Sequence, residues 1–145
     1  MKRLIKNVIA GQNPLTSTCN TTVRAAAQKM AKRGVGTVLI VSDDGKLVGI
    51  LSERDILNKV VAVGQNPDTT PVSAIMVQQI VTTTADRLLG EALHLMRDGK
   101  FRHVPVVNEN HQPIGIVSIR DAFSEDLADF EREARLMENL SEIIA

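Results

Sequence analysis

The spacing of apolar positions changes several times along the chain, and each change predicts a new element. Stretches with apolar or small residues every three or four positions favour helices. Short runs rich in β-branched residues favour strands. In the first half of the chain these patterns predict a strand, a helix, two strands and a second helix, at residues 15–18, 21–32, 36–41, 47–51 and 56–63.

Turn and cap residues support these boundaries. Asn20 or Thr21 is a candidate N-cap for the first helix, and Gly34 is a candidate stop. Asp44-Gly45, between the two strands, is typical of a tight hairpin turn. The polar segment 65–71 (QNPDTTP) contains two prolines and indicates a linker.

The second half of the chain shows the same order of patterns. Asp86 is a candidate cap for its first helix, which ends at Arg97. The patterns predict a strand, this helix, two strands joined by a turn at residues 108–112, and a long final helix, at residues 80–84, 86–97, 102–107, 114–118 and 123–144.

The two halves are also related residue by residue, at an ungapped offset of 66 positions. Residues 23–56 align with residues 89–122, and nine of the 34 pairs are identical. The identities cluster in residues 49–55 (GILSERD) and 115–121 (GIVSIRD). The chain therefore contains two copies of one repeated unit.

The repeat predicts an α/β (α+β) fold with two β-α-β-β-α units and a C-terminal helix. A unit of roughly 60 residues is marginally stable alone. Packing two about a pseudo-twofold axis would bury their helix faces and leave clefts suited to a ligand. The predicted divisions are repeat one at 1–66, repeat two at 67–128 and a helical tail at 129–145.

Composition narrows the function. Aromatic residues make up only 2% of the chain, and 17 basic residues balance 17 acidic ones. This argues against nucleic-acid modules that stack bases on aromatic rings or depend on positive charge. Cys19 is the single cysteine and no apolar run reaches membrane-spanning length, so we expect a cytoplasmic protein that is not membrane-bound.

Charge is unevenly distributed along the chain. Residues 1–66 carry ten basic and four acidic side chains, whereas residues 120–145 carry three and eight. A basic front and an acidic tail suggest self-association or a charged partner. Two solvated faces would give the same pattern.

The doubled Ser-x-Arg-Asp motif is the main candidate for chemistry, and it has two interpretations. Ser and Asp three residues apart at a helix start form a capping box. Alternatively, free N–H groups at the helix start bind phosphate, the carboxylate holds ribose hydroxyls, and the arginine pairs with phosphate. Gly49 and Gly115 would let the backbone approach a ligand closely. Retention of the arginine in both copies favours the ligand interpretation.

The repeated G-I-[LV]-S-x-R-D, placed after a hairpin and before a helix, resembles the cystathionine β-synthase (CBS) domain. Two in tandem resemble a Bateman module, and the resemblance covers roughly residues 8–128. It implies the β-α-β-β-α fold for each repeat. It also implies AMP, ADP, ATP or NAD as ligand in the clefts, with S-adenosylmethionine a weaker candidate.

The resemblance also implies roles for particular residues. Serine hydroxyls would contact ribose or phosphate, aspartates would hold the ribose diol, and the opening strands would meet the adenine edge. By position these are Ser52 and Ser118, Asp55 and Asp121, and Thr16 and Thr82.

The phosphate contacts differ between the repeats. Arg102-His103 matches the family's R-H-h-P-V segment, in which h is apolar and which approaches phosphate. Repeat one has Gly36-Thr37 there, so the two sites are not expected to be equivalent. Arg54, the partner of Arg120 in the repeat, is a candidate source of positive charge; Lys59 is either another or a solvated helix residue.

No catalytic or metal constellation is apparent in the sequence. His94, His103 and His111 lack ligand spacing with one another and with Cys19, and no phosphate-loop motif is present. We therefore expect a sensor that binds an adenine nucleotide, is not an enzyme and signals to a partner protein. The alternative is a structural dimerisation module whose motifs only cap helices.

The predicted last helix carries an apolar stripe. It either folds back on its own module or pairs with another chain; the second option predicts a homodimer, with the acidic tail facing the basic front of the other copy. The stripe comprises Phe123, Leu127, Phe130, Ala134, Met137, Leu140 and Ile144.

Overall fold

The structure is a computed structural model that describes residues 3–144, with only the backbone for residues 123–130. Its helices are α1 (Ile5–Val8), α2 (Val23–Arg33), α3 (Glu53–Ile56), α4 (Leu89–Gly99) and α5 (Ile119–Ile144). Its strands are β1 (Thr16–Thr18), β2 (Thr37–Val41), β3 (Leu47–Ser52), β4 (His103–Val107) and β5 (Pro113–Ser118). A π-helical turn (Leu57–Val61) extends α3, and a 3-10 turn (Val72–Ala74) follows the linker.

Repeat one folds as a three-stranded sheet covered by α2. Strand β2 pairs in parallel with β1 and antiparallel with β3, so that Thr37 lies opposite Ser52. Helix α2 ends at Gly34, as predicted, with φ of 66°. Its cap lies later than predicted, because the hydroxyl of Thr22, not Asn20 or Thr21, accepts a hydrogen bond from the Ala25 N–H at 3.1 Å.

Repeat two reproduces the hairpin in the same register, with His103 of β4 opposite Ser118 of β5. The prediction of a strand at residues 80–84 is wrong. The only strand-like pairing in this segment is one parallel bridge between Thr83 and Val106. The backbone of Thr83 makes one bond to the Pro105 carbonyl and one to the Val107 N–H, both at 3.0 Å.

The predicted Asp86 cap of α4 is also wrong. Asp86 instead accepts a hydrogen bond from the Thr84 hydroxyl, a local contact that competes with capping. Helix α4 begins after Leu88, which makes no side-chain cap. The N–H of Leu89 donates to the carbonyl of Arg3, a residue far away in the sequence, at 2.8 Å.

The helix predicted at residues 56–63 differs in type. It begins at Glu53 as α3 and widens into the π-helical turn, where the Ala62 N–H donates to the Leu57 carbonyl at 2.9 Å. It ends near Gly64, whose φ is 76°.

Each repeat has an aliphatic core, and a third apolar cluster lies between them. The first segment of the chain packs into the core of repeat two, where Ile5 and Ile9 join Leu89. The shared cluster contains Leu39, Leu47 and Val107, with Ile50 and Ile116 packed against it. The predicted divisions at residues 66 and 128 stay predictions, but the hydrophobic contacts cross the first of them.

The last helix begins earlier than predicted, at Ile119, so that Asp121 lies within its first turn. The predicted stripe residues Phe123, Leu127 and Phe130 lie outside the described side chains. Met137 and Leu140 are exposed on the single chain, at 70% and 53%. Within residues 3–144, no helix has the length and apolar character needed to cross a membrane.

Candidate functional site

A cavity of about 820 Å³ opens between the two repeats, and both contribute to its wall. This volume lies in the range of sites that hold a small molecule. Apolar side chains from the two hairpins and from the segment that joins the repeats form part of it, including Ile50, Ile116 and Ile80. Charged side chains from the starts of α3 and α5 form another part.

The first Ser-x-Arg-Asp motif forms a complete capping box. The Ser52 hydroxyl accepts a hydrogen bond from the Asp55 N–H at 3.1 Å, and the Ser52 N–H donates to Asp55 Oδ2 at 2.9 Å. The other oxygen, Oδ1, lies 3.2 Å from Lys59 Nζ. Lys59 also donates to the Ile75 carbonyl at 2.9 Å. It therefore holds the Asp55 carboxylate of the cap, and it is not among the residues that line the cavity.

The second motif repeats the contact between the serine backbone and the aspartate. The Ser118 N–H donates to Asp121 Oδ2 at 2.7 Å, and the Ser118 hydroxyl lies 3.4 Å from the same oxygen. The capping interpretation therefore holds in full for repeat one, and repeat two shows the half of the box in which the aspartate accepts from the serine N–H. It is compatible with ligand binding, because Ser52 and Ser118 also line the cavity.

Gly49 and Gly115 do not serve the role suggested by the sequence. A Cβ on Gly49 would lie 2.3 Å from Met76 Sδ, and one on Gly115 would lie 2.7 Å from Ile9 Cβ. Both glycines are thus needed by the protein's own packing. The expectation that these glycines let a ligand approach the backbone is therefore wrong. Each instead leaves room for another segment of the protein to pack against its strand.

Repeat two supplies most of the positive charge of the cavity. Lys100, Arg102 and Arg120 line it beside His103. Burial lowers the pKa of His103, and the positive charges of Arg120 and Arg102 lower it further. The imidazole is therefore held toward its neutral form in a site that is already cationic.

Repeat one places different chemistry at the matching positions. Gly36 and Thr37 take the places of Arg102 and His103, and Glu53 takes the place of Ile119. The Glu53 carboxylate lies against Gly36, where a Cβ would be 3.2 Å from Oε1.

Eight predicted site residues line this cavity, and three lie outside its lining. The eight are Thr37, Ser52, Arg54, Asp55, Arg102, His103, Ser118 and Arg120. The other three are Thr16, which is exposed on β1, Asp121, which caps α5, and Thr82, which lines a smaller pocket beside Arg87 and Glu91.

Sequence reasoning missed Glu53, Lys100 and the segment 79–81 as cavity residues. Glu53 lies inside the duplicated motif, and its replacement by Ile119 in repeat two was a visible signal. The segment 79–81 gave none, because its role depends on how the repeats pack. Among the described side chains, no three His, Cys, Asp or Glu residues gather to hold a metal ion.

The fold and the paired strand-to-helix junctions define a module of two tandem repeats with a cavity between them. The family model of the CBS domain matches residues 5–62 and 72–127. The chain therefore belongs to the CBS-domain family and carries two copies of the domain.

Relatives with this pair occur in distant organisms. A protein of Methanopyrus kandleri is 36% identical over 121 residues, which is 83% of this chain and 62% of that protein. The CBS domain-containing protein CBSCBSPB5 of Arabidopsis thaliana is 40% identical over 118 residues, 81% of this chain but 21% of that one. The chain thus spans less than two thirds of these relatives.

Solved structures share the arrangement, which confirms the predicted fold class. A CBS-domain protein from Burkholderia ambifaria aligns with a TM-score of 0.79 at 29% identity, covering 87% of this chain and 95% of that one. One from Pyrobaculum aerophilum, complexed with AMP, gives 0.76 at 29%, covering 87% and 98%. A CBS-domain pair in complex with 5′-methylthioadenosine and S-adenosyl-L-methionine gives 0.79 at 26%, covering 89% and 99%.

Proposed function

We propose that this chain is a regulatory module that binds an adenine nucleotide in the cavity between its repeats and catalyses no reaction. The observation that carries the proposal is the division of the cavity wall. One part is apolar, with Ile50, Ile80 and Ile116, and suits a flat base. The other is cationic, with Arg102 and Arg120, and suits phosphate.

Two solved relatives support an adenosine-type ligand. The Pyrobaculum protein holds AMP, and the other pair holds 5′-methylthioadenosine and S-adenosyl-L-methionine. The cationic wall of this chain favours a ligand with phosphate, so we place AMP, ADP, ATP and NAD before S-adenosylmethionine, whose sulfonium is positive.

Signalling is proposed to pass through α5. Ile119 and Arg120 line the cavity and belong to the first turn of that helix. A ligand that contacts them acts directly on the start of a 26-residue helix. The exposed apolar side chains near its far end, among them Met137 and Leu140, support contact with a partner or a second copy.

Thermal unfolding with a nucleotide panel tests this proposal. At a hundredfold excess over the dissociation constant, binding stabilises the fold by about 2.7 kcal/mol, which raises the melting temperature by about 5–10 °C for a chain of this size. Arg102→Gln should reduce that shift. Arg97→Gln is the matched control, because Arg97 is an exposed arginine of α4 that pairs with Asp98 and is absent from the cavity lining.

The alternative, a structural module with no physiological nucleotide, predicts a different result. Its melting temperature would not respond to millimolar AMP, ADP, ATP, NAD or S-adenosylmethionine. Arg102→Gln and Arg97→Gln would then behave alike.

A further inference from the structure

The two repeats build the same backbone junction at the cavity. The Glu53 N–H donates to the Gly36 carbonyl, and the Ile119 N–H donates to the Arg102 carbonyl, both at 2.9 Å. The neighbouring strand pairs also match, since Thr37 lies opposite Ser52 and His103 lies opposite Ser118. Side chains at matching positions can therefore be compared one to one.

The charges on this common backbone are opposite. In repeat one, Glu53, Arg54 and Asp55 line the cavity, with a net formal charge of −1. In repeat two, Lys100, Arg102 and Arg120 line it, with a net charge of +3.

Local packing also differs between the two junctions. In repeat one, the absence of a side chain on Gly36 leaves room for the Glu53 carboxylate to lie against the strand. In repeat two, Ile119 packs against the hydrophobic core instead. The matching strand position carries Arg102, which lines the cavity.

The carboxylate of Glu53 also acts on a cavity residue of repeat two. The negative charges of Asp121 and, to a smaller extent, of Glu53 raise the pKa of His103, although burial and the two arginines outweigh both. Glu53 is thus electrostatically coupled to the group of side chains best suited to phosphate. An anion bound there meets attraction from Arg102 and Arg120 and repulsion from Glu53.

We propose that Glu53 is a specificity determinant that restricts the cavity to one nucleotide with a single phosphate group. A first phosphate is held at the wall of repeat two. Further phosphates, from a longer chain or from a second nucleotide, would extend toward the wall of repeat one, where the net charge of Glu53, Arg54 and Asp55 is −1 and Glu53 repels them. This inference rests on the proposed nucleotide function and adds to it the phosphate count and the stoichiometry.

Calorimetric titration of the full chain with AMP, ADP and ATP tests the assignment. The wild type should bind one AMP per chain and should bind ATP more weakly than AMP. Glu53→Gln keeps the size of the side chain and removes its charge. It should shift the ratio of ATP to AMP affinity toward ATP by roughly fivefold or more. Glu109→Gln makes the same charge change in the exposed β4–β5 turn and should leave the ratio unchanged.

Two results would overturn the proposal while leaving nucleotide binding intact. One is two AMP molecules bound per wild-type chain; the other is an unchanged ATP-to-AMP ratio in Glu53→Gln. Absence of binding by every nucleotide would instead reject the proposed function. Glu53→Met is a second uncharged variant and should shift the ratio in the same direction. Melting temperatures of the unliganded variants that match the wild type would show that the change in the ratio is not caused by unfolding.

Discussion

The side-chain amide of Gln12 pairs with the backbone of Ile116 as another peptide group would. Gln12 Nε2 donates to the Ile116 carbonyl at 3.2 Å, and the Ile116 N–H donates to Gln12 Oε1 at 2.9 Å. In repeat one the matching residue, Ile50, is paired by the backbone of Val77 at 3.0 and 2.9 Å. In repeat two, one side chain thus takes the place of the isolated backbone bridge that Val77 makes to β3 in repeat one.

Replacing Gln12 by Ala should lower the free energy of unfolding by about 0.5–1.5 kcal/mol, because two backbone groups of Ile116 lose their partner and regain only water. Urea denaturation measures the change. Gln78→Ala is the matched control, since Gln78 occupies the corresponding position at the offset of 66 residues and is exposed. Equal effects of the two substitutions would contradict this account.

Gly115→Ala should destabilise the chain more than Gly49→Ala. The new methyl group at residue 115 would meet Ile9 Cβ at 2.7 Å, and that atom is fixed to the backbone of a buried residue. At residue 49 the obstacle is the flexible side chain of Met76, which can rotate away. We expect about 1–3 kcal/mol for Gly115→Ala, measured by chemical denaturation. The reverse order would contradict the packing described here.

His103 should make the unliganded protein less stable as the pH falls through about 6.5. Its pKa in the folded chain lies below the ordinary value of 6.5, so the unfolded chain binds the proton more readily. Stability therefore falls as the pH drops from 6.5 toward the folded pKa. His103→Gln should flatten the pH dependence between 5 and 7, measured against wild type by denaturation at each pH. An identical slope in both proteins would count against it.

Asp55 should matter for both the fold and the ligand. Asp55→Ala removes half of the capping box and should cost about 1 kcal/mol of stability without ligand. It should also weaken nucleotide binding, because Asp55 lines the cavity. Asp121→Ala should show a similar cap effect and a smaller effect on binding, since Asp121 lies outside the cavity lining. Calorimetry measures the effect of each substitution on binding, and melting curves measure its effect on stability. Equal losses of affinity in the two variants would argue that Asp121 also contacts the ligand.

The end of α5 should carry a homodimer contact. Leu136, Met137 and Ile143 are 61%, 70% and 80% exposed on the single chain. Removing them should therefore barely change the stability of the monomer but should abolish its association with a second copy. A chain ending at residue 127, or Leu140→Glu in the full chain, should be monomeric by light scattering; Glu138→Gln is the control. A full-length chain that is monomeric at tens of micromolar, with or without nucleotide, would rule this out.

The helix ends show where local sequence signals reach their limit. Gly34 predicts the end of α2, since glycine tolerates its φ of 66°. The matching residue, Lys100, ends α4 with φ of 58° and carries no such signal. There the N–H groups of Lys100 and Phe101 both donate to the Met96 carbonyl, and Lys100 lies on the cavity wall.

The sequence by itself determined the duplicated architecture and most of the residues at the repeat junctions, because strand alternation, helical spacing and the repeated motif are local or nearly identical patterns. Only the tertiary structure decided three matters: that α1 completes the core of repeat two, that Gly49 and Gly115 admit protein segments, and that Glu53 and His103 line one shared cavity. Each depends on contacts between residues far apart in the chain, and the spacing of residues along one segment does not encode which distant segment will pack against it.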